Sequence, residues 1–405
     1  MRTAWGNDAK KYTPDMVVTL AYAENRKKAL EVDADIYVIN TDAVKWLLKN
    51  MDNSFFQRFD TLIIDESEAF KHHTSQRSKA ALKLSKLRTK KRGGEPIFKH
   101  RALLSATPFS GSVTELWHQA LLLDSGDRLG DSFFKFRNAV CEPEQIGPSA
   151  NHLRWVDKPG AEEAVAGLLS DITIRHEFDK CMDIPQNHSY FREYQLPPKL
   201  MAEYLRLKEE AVLMHERGEV TAINAAVLHN KLLQLVSGAV YGDPSDPDAD
   251  YVLLDSGRYE FTVDLALEVP HSIIFFNWRH QLDQLEKHLE QRGVRYATIN
   301  GDVPVAKREV IVDQYQAGFF DTLLLHPLTG AHGITLTKGT RSVWASATAQ
   351  PNIYKQGKHR IWRGGQTLAT ENIMVAAADT IEIDVFKRWE QRNAKMENLL
   401  EFMTA

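Results

Sequence analysis

Residues 62–70 read LIIDESEAF. A short isoleucine-rich run that stops at two adjacent carboxylates, Asp65 and Glu66, reads as a buried parallel strand whose C-terminal tip presents acids to a cleft. Open α/β sheets place their ligands at such tips. There Asp65 can hold a magnesium ion, directly or through its water shell, because a hard cation takes carboxylate oxygen. Glu66 can orient or deprotonate a water that attacks a γ-phosphate. The plainer alternative is that the two acids open a solvated loop, so the decision rests on the rest of the chain.

Upstream, residues 15–20 (DMVVTL) and 35–40 (DIYVIN) predict short buried strands with a charged helix over residues 25–30 between them. Asn40, Thr41 or Asp42 can cap a helix beginning near Ala43. Strand and helix alternate, as a parallel α/β sheet requires. Downstream, residues 71–101 hold eleven Lys or Arg against the single acid Glu95. In a chain of net charge −4, that asymmetry suggests a phosphate-facing surface that includes Arg77, Lys90, Lys91 and Arg92. A solvated helix followed by a loop at Gly93-Gly94 is the alternative. Residues 102–108 (ALLSATP) then predict a strand ending in the small hydroxyls Ser105 and Thr107, with Pro108 stopping further pairing. Such hydroxyls can couple a nucleotide to a neighbouring domain, or serve as plain turn chemistry. Residues 114–123 (TELWHQALLL) predict an amphipathic helix with Trp117 in the core.

A second domain opens near Gln186, so the expected division is 1–185 and 186–405. Its predicted parts are a strand over 190–196, a long charged helix from Pro197-Pro198 to about Gly218, and a Pro/Asp-rich loop over 242–250. Further strands follow at 271–276 (HSIIFF), 296–300 and 322–325 (TLLL). A helix carrying Leu282, Leu285 and Leu289 ends at Gly293, which supplies a left-handed C-cap. The 405 residues, 43% apolar and 26% charged, suit two or three ordinary globular domains. Cys141 and Cys181 are too few for a disulfide framework and lack zinc spacing. No apolar run approaches a membrane span, and MRTAWGNDAKKY lacks the core of a signal peptide. The expectation is a cytoplasmic protein with no membrane partner.

Residues 356–366 read QGKHRIWRGGQ, with Arg360 and Arg363 three apart on one face of a helical turn. In order with LIIDESEAF, SATP, ELWHQALLLD, NGD and HPLTGAHGITL, this resembles the motif ladder of superfamily-two helicases over about residues 15–400. More narrowly, it is similar to the Swi/Snf-type double-stranded-DNA translocases, including compact versions carried by phages, which act in the bacterial host cytoplasm. The resemblance implies an α/β fold of two tandem RecA-like parallel-sheet domains, with ATP and Mg2+ as cofactors and duplex DNA as partner. It gives Asp65 the metal and, with Glu66, the hydrolytic water; Arg360 and Arg363 act as fingers across from them. Gln356 and Gly333 match nucleotide-binding positions, and Ser105, Thr107, Arg308 and Thr329 match positions that couple nucleotide state to DNA. Two departures stand out: Glu68 where many relatives have histidine, and Ser105 where close relatives begin the string with glycine.

The phosphate-cradling string G-x-x-x-x-G-K-[ST] occurs nowhere in the 405 residues; the one Gly-Lys, Gly357-Lys358, precedes histidine. Relatives carry that loop upstream of everything matched, so the resemblance implies a first domain truncated at its N-terminus. The expected function is then an ATP-dependent translocase or helicase-like protein on duplex DNA that takes its Walker A loop from a separate polypeptide or an upstream frame. The alternative is a non-catalytic DNA-binding or regulatory remnant. A two-domain glycosyltransferase-like enzyme would leave QGKHRIWRGGQ unexplained.

Overall fold

The computed structural model describes all residues except 1–4, 90–93, 110, 146–152, 217–221, 243–249, 331–333, 348–350 and 405. Four of the residues singled out above, Lys90, Lys91, Arg92 and Gly333, lie outside the described residues. The backbone gathers into two compact units, Met1–Arg175 with Arg392–Ala405, and His176–Gln391. The chain therefore passes between them twice, after Arg175 and again within the helix Ile381–Thr404.

The first unit contains β1 (Val18–Ala21), β2 (Ile36–Ile39), β3 (Thr61–Ile64), β4 (His100–Leu103), β5 (Cys141–Gln145) and β6 (Leu153–Asp157). Instead of the single alternating sheet expected, β1 and β2 form one parallel pair and β3 and β4 another, while β5 and β6 form an antiparallel hairpin. Each parallel pair rests on its own apolar cluster: Ala21, Leu30, Leu47 and Phe56 belong to one, Ile64, Phe70, Ala81 and Leu122 to the other. Parts of the apolar runs remain open to solvent, with Ile63 53% and Leu104 45% exposed. The expected side-chain cap from Asn40, Thr41 or Asp42 is not made: the helix Val44–Asn50 starts from a 3-10 turn at Thr41–Ala43, and Asp42 holds Arg77 instead.

The second unit holds β7 (Asn187–Tyr194), the hairpin of β8 (Ala239–Tyr241) and β9 (Tyr251–Leu253), then β10 (Ser272–Phe275), β11 (Tyr296–Ile299), β12 (Thr322–Leu325), β13 (Arg341–Trp344) and β14 (Thr370–Ala377). Six of them build one all-parallel sheet in the order β11-β12-β10-β13-β14-β7. Alternation across a strand explains its two cores. Ile273, Phe275, Leu323, Leu325, Trp344 and Met374 enter one layer; Ile274, Leu324, Val343, Ile373 and Val375 enter the other. Because both faces are covered, these strands read as continuous apolar runs rather than alternating ones.

At the C-terminal ends of β13 and β14 lies a wholly buried ion pair, Arg258 with Glu382, both side chains 0% exposed. Arg258 Nε donates to the Ala345 carbonyl at 2.8 Å, Nη1 to Val236 at 2.9 Å and Glu382 at 2.8 Å, and Nη2 to Val375 at 2.8 Å and Glu382 at 3.1 Å. Glu382 also accepts from the Ala347 and Ala377 amides. All five guanidinium hydrogens and four carboxylate acceptor positions are thus occupied, the condition under which a buried pair is tolerated. Arg258→Met leaves the carboxylate charge uncompensated and is expected to cost about 3–5 kcal/mol of unfolding free energy. The double variant Arg258→Met/Glu382→Leu is expected to recover most of it. Urea unfolding followed by circular dichroism checks this, and a double variant no better than the single one would contradict it.

Candidate functional site

β3 delivers Asp65 to solvent as soon as its last residue, Ile64, is buried. One Asp65 oxygen accepts from the Trp5 indole at 3.1 Å and the other from the Glu66 amide at 2.9 Å. Glu66 itself sits in left-handed backbone, φ 50° and ψ 52°. A side-chain-bearing residue holds that conformation at a cost of about 1–2 kcal/mol, and such strain persists where surrounding bonds over-determine it. Here the Ser67 amide donates to Leu104, the Leu104 amide to Ile64, and Ser67 Oγ to Gln119 Oε1 at 2.7 Å.

Those bonds tie the acidic tip to the SATP turn that follows β4. Ser105 Oγ donates to Glu68 Oε2 at 2.6 Å and accepts from the Thr107 amide at 3.0 Å. Gln119, buried on the helix Thr114–Asp124, also donates to the Pro108 carbonyl at 2.6 Å. Asp65, Glu66, Ser105 and Thr107 are therefore brought together as one bonded cluster. Sequence reasoning missed Gln119, whose signal was an amide on the apolar side of an otherwise leucine-rich helix. Asp65 and Glu66 offer hard oxygen donors, and the site suits a Mg2+ that keeps its waters and takes its remaining ligands from phosphate. Among the described residues no group of three or more His, Cys, Asp or Glu side chains converges as a metal cage.

Much of the basic tract is used internally. Lys71 pairs with Glu115 at 3.2 Å, Arg77 with Asp42 at 2.5 Å, and Arg88 donates to the Gly94 carbonyl. Arg101 donates to the carbonyls of Leu122 and Leu123 and to Ser125 Oγ, closing the end of the helix Thr114–Asp124. The helix Gln76–Ser85, capped by Ser75, buries Ala80, Ala81 and Leu84 and leaves Lys79, Lys83 and Lys86 exposed at its opposite side and end. Spacings of four and three place those lysines along one stripe.

In the second unit the arginine motif follows the helix Pro351–Lys358. Gly357 is obligatory there, since a β-carbon would lie 2.6 Å from Trp344, which stacks on Phe275 at 4.2 Å. Arg360 is 7% exposed and Arg363 half-buried; the Nη1 of each reaches the Ile334 carbonyl, at 3.3 and 3.4 Å. The two guanidinium groups thus converge on the GAHGITL loop, and the Leu336 amide donates to the Arg360 carbonyl. Gln366, 6% exposed, locks the turn. Its amide donates to the carbonyls of Thr337, Gly339 and Ile361, while its oxygen accepts from the amides of Thr367 and Leu368. This residue too was not anticipated, although it closes the QGKHRIWRGGQ motif.

Gln356 is half-buried on the preceding helix, and Thr329 lies in the short helix Pro327–Gly330 with its amide donating to His326. Arg308 binds the carbonyls of Val303 and Gly301 and so fastens its own loop. Burial, reinforced by Lys355 and Lys358, pushes His359 down to about 4, so its ring is neutral at pH 7.

A SNF2-related domain model matches residues 1–237, and a helicase conserved C-terminal domain model matches residues 258–365. The first match covers more than half of the chain, which therefore belongs to the SNF2-related family. It is 24% identical to putative protein p41 of Acyrthosiphon pisum secondary endosymbiont phage 1, over 99% of this chain and 86% of that protein. It is 24% identical to the DNA repair and recombination protein RAD26 of Saccharomyces cerevisiae, over 71% of this chain. With the putative ATP-dependent helicase/translocase YwqA of Bacillus subtilis it shares 21% over 96% of this chain. It spans only 28% and 41% of those two proteins. Among solved structures it is similar to the Sulfolobus solfataricus SWI2/SNF2 ATPase core in complex with dsDNA, at 20% identity and TM-score 0.41, covering 98% of this chain and 81% of that one. No described helix is long and apolar enough to cross a membrane.

Gln366→Glu replaces a donor facing three carbonyls with a group that can only accept when ionised. It is expected to destabilise the second unit more than Gln366→Ala, by about 1–3 kcal/mol, because a carboxylate oxygen would face carbonyls that have lost their donor, and to recover on acidification as the carboxyl gains its proton. Thermal melting of both variants at pH 5 and pH 8 checks the order.

Proposed function

We propose that this chain is the motor portion of an ATP-driven translocase on duplex DNA, working with a phosphate-cradling loop supplied from outside residues 1–405. The observation that carries the reading is the 2.6 Å bond from Ser105 to Glu68, which joins the acid-bearing tip of β3 to the SATP turn. A change in what Asp65 and Glu66 hold would pass through that bond to the turn. In this reading Asp65 holds Mg2+, and Glu66 positions and deprotonates the attacking water. Arg360 and Arg363 stabilise the charge that develops on the γ-phosphate, with Gln356 and Gly333 beside the nucleotide. Permanently protonated, planar guanidinium groups suit that task. A finger of this kind contributes about 10³–10⁵ in rate, equal to about 4–7 kcal/mol of barrier.

The names of relatives support the choice of substrate: one is a putative ATP-dependent helicase/translocase and another a DNA repair and recombination protein. The partly exposed Ile63 and Leu104 beside the acids support a docking place for the segment that brings the loop. ATP hydrolysis is expected with duplex DNA once that upstream segment is added or restored, and Glu66→Gln is expected to abolish it. A chain that turns over no ATP under either condition, yet binds duplex DNA, is instead a non-catalytic binding module.

On DNA, we assign sequence-independent phosphate binding to Lys79, Lys83 and Lys86 together with Arg77, to Lys90, Lys91 and Arg92 of the same basic tract, and to Thr329 and Arg308 in the second unit. Removing one phosphate-binding cation lowers the slope of log affinity against log salt by about 0.9. The triple change Lys79→Gln/Lys83→Gln/Lys86→Gln is therefore expected to reduce the slope by about 2–3. An unchanged slope in fluorescence-anisotropy titrations removes the stripe from the DNA interface.

A further inference from the structure

The segment by which the chain enters its second unit does not run free over the surface. Just after the passage at Arg175, it folds onto the arginine turn. The Trp362 indole, lying in sequence between Arg360 and Arg363, donates to the Pro185 carbonyl at 2.8 Å. Its ring stacks on His359 with centroids 5.3 Å apart and planes 25° apart. Phe178 meets both rings edge-on, at 5.4 Å from Trp362 and 6.1 Å from His359. Met182 packs so close to Gly364 that a β-carbon there would lie 3.0 Å from its methyl. Three residues of the entering segment thus grip the arginine turn at positions 359, 362 and 364.

The grip falls where the turn is weakest. Gly364 and Gly365 contribute no packing of their own, and Gly365 takes φ +97°. Two guanidinium groups reaching for one carbonyl also repel each other. Gln366 locks the turn from its far end, the entering segment bears on the stretch around Trp362 that carries both arginines, and misplacement by about 1 Å can cost about 10²-fold in rate.

We propose that residues 178–185 form a clamp that positions the arginine pair, with Trp362 as the positioning residue through which the connecting segment controls it. The proposal rests on the reading of Arg360 and Arg363 as phosphate-stabilising groups. A connection that is pulled or rotated would loosen Phe178, Met182 and Pro185 together and leave the arginines misaligned. Docked, it sets them for catalysis.

The test has two readouts. In DNA-stimulated ATP hydrolysis with the upstream segment present, Trp362→Phe keeps a ring but loses the bond to Pro185, and Phe178→Ala removes the ring that meets Trp362 and His359 edge-on. Both are expected to lower kcat by about 10-fold to 100-fold, with KM for ATP held within about twofold and the melting temperature retained. Phe178→Tyr is expected to keep kcat. The second readout needs no hydrolysis. Cys141 is buried and Cys181 exposed, so a thiol-reactive bimane labels Cys181, and a nearby tryptophan quenches its emission. Phe178→Ala is expected to raise that emission as the segment leaves Trp362. Turnover with unchanged kcat in Trp362→Phe and Phe178→Ala, or bimane emission unmoved by Phe178→Ala, overturns the clamp. Absence of turnover in the unaltered protein removes the catalytic reading and this proposal with it.

Discussion

Arg258 and Glu382 place a full charge of each sign where there is no water, and such charges are tolerated only when every hydrogen and lone pair finds a partner. The partners come from the ends of β13 and β14, from the last residue of the helix Ala222–Val236, and from the first turn of the helix Ile381–Thr404. Moving any of these elements by a fraction of a hydrogen-bond length would leave a buried charge exposed to apolar surroundings. The pair therefore fixes where β13 ends. The end of β13 fixes Trp344, whose stack on Phe275 forms the wall against which Gly357 must be bare. Gly357 in turn sets where the arginine turn starts. A constraint deep in the core is thus transmitted, step by step, to the two guanidinium groups at the surface of the sheet.

Elements whose signal is local were legible in the sequence. HSIIFF and TLLL are apolar runs between turn residues, and they are β10 and β12. Leu282, Leu285 and Leu289 with the left-handed Gly293 mark the helix Arg279–Gln291, and the helix from Pro198 runs nearly as long as predicted. β13 and β14 escaped notice because their inward positions hold polar groups satisfied only by the fold. Arg341 is 8% exposed because Glu268 and Glu371 bind it. Ser342 and Asn372 bond each other across the two strands. No period in a single chain reports a hydrogen-bond partner thirty residues away. The same reason hid Gln119 and Gln366, whose value lies in carbonyls that folding brings to them.

Counting charges overstated the basic tract for a related reason. Arg101 is spent on a helix end, Arg88 on a loop carbonyl, and Lys71 and Arg77 on acids contributed by other elements. Exposed ion pairs are weak, so Arg77 can leave Asp42 at little cost, but Arg101 cannot leave without unsealing Thr114–Asp124. Among the described residues, Lys79, Lys83 and Lys86 form an exposed cationic stripe, which the helical repeat, rather than the sum, identifies.

The two positions that depart from the pattern the sequence resembles are in contact. Glu68 and Ser105 touch at 2.6 Å. A carboxylate can only accept, and placed within four residues of Asp65 and Glu66 it adds to a local excess of negative charge. It needs a donor from the other strand, and a hydroxyl on Ser105 is the smallest side chain that provides one. Glycine at 105 would leave Glu68 without that donor, while histidine at 68 would leave the Ser105 hydroxyl without its carboxylate acceptor. The link between the acidic tip and the SATP turn therefore depends on both members of this pair, the acceptor at 68 and the hydroxyl donor at 105.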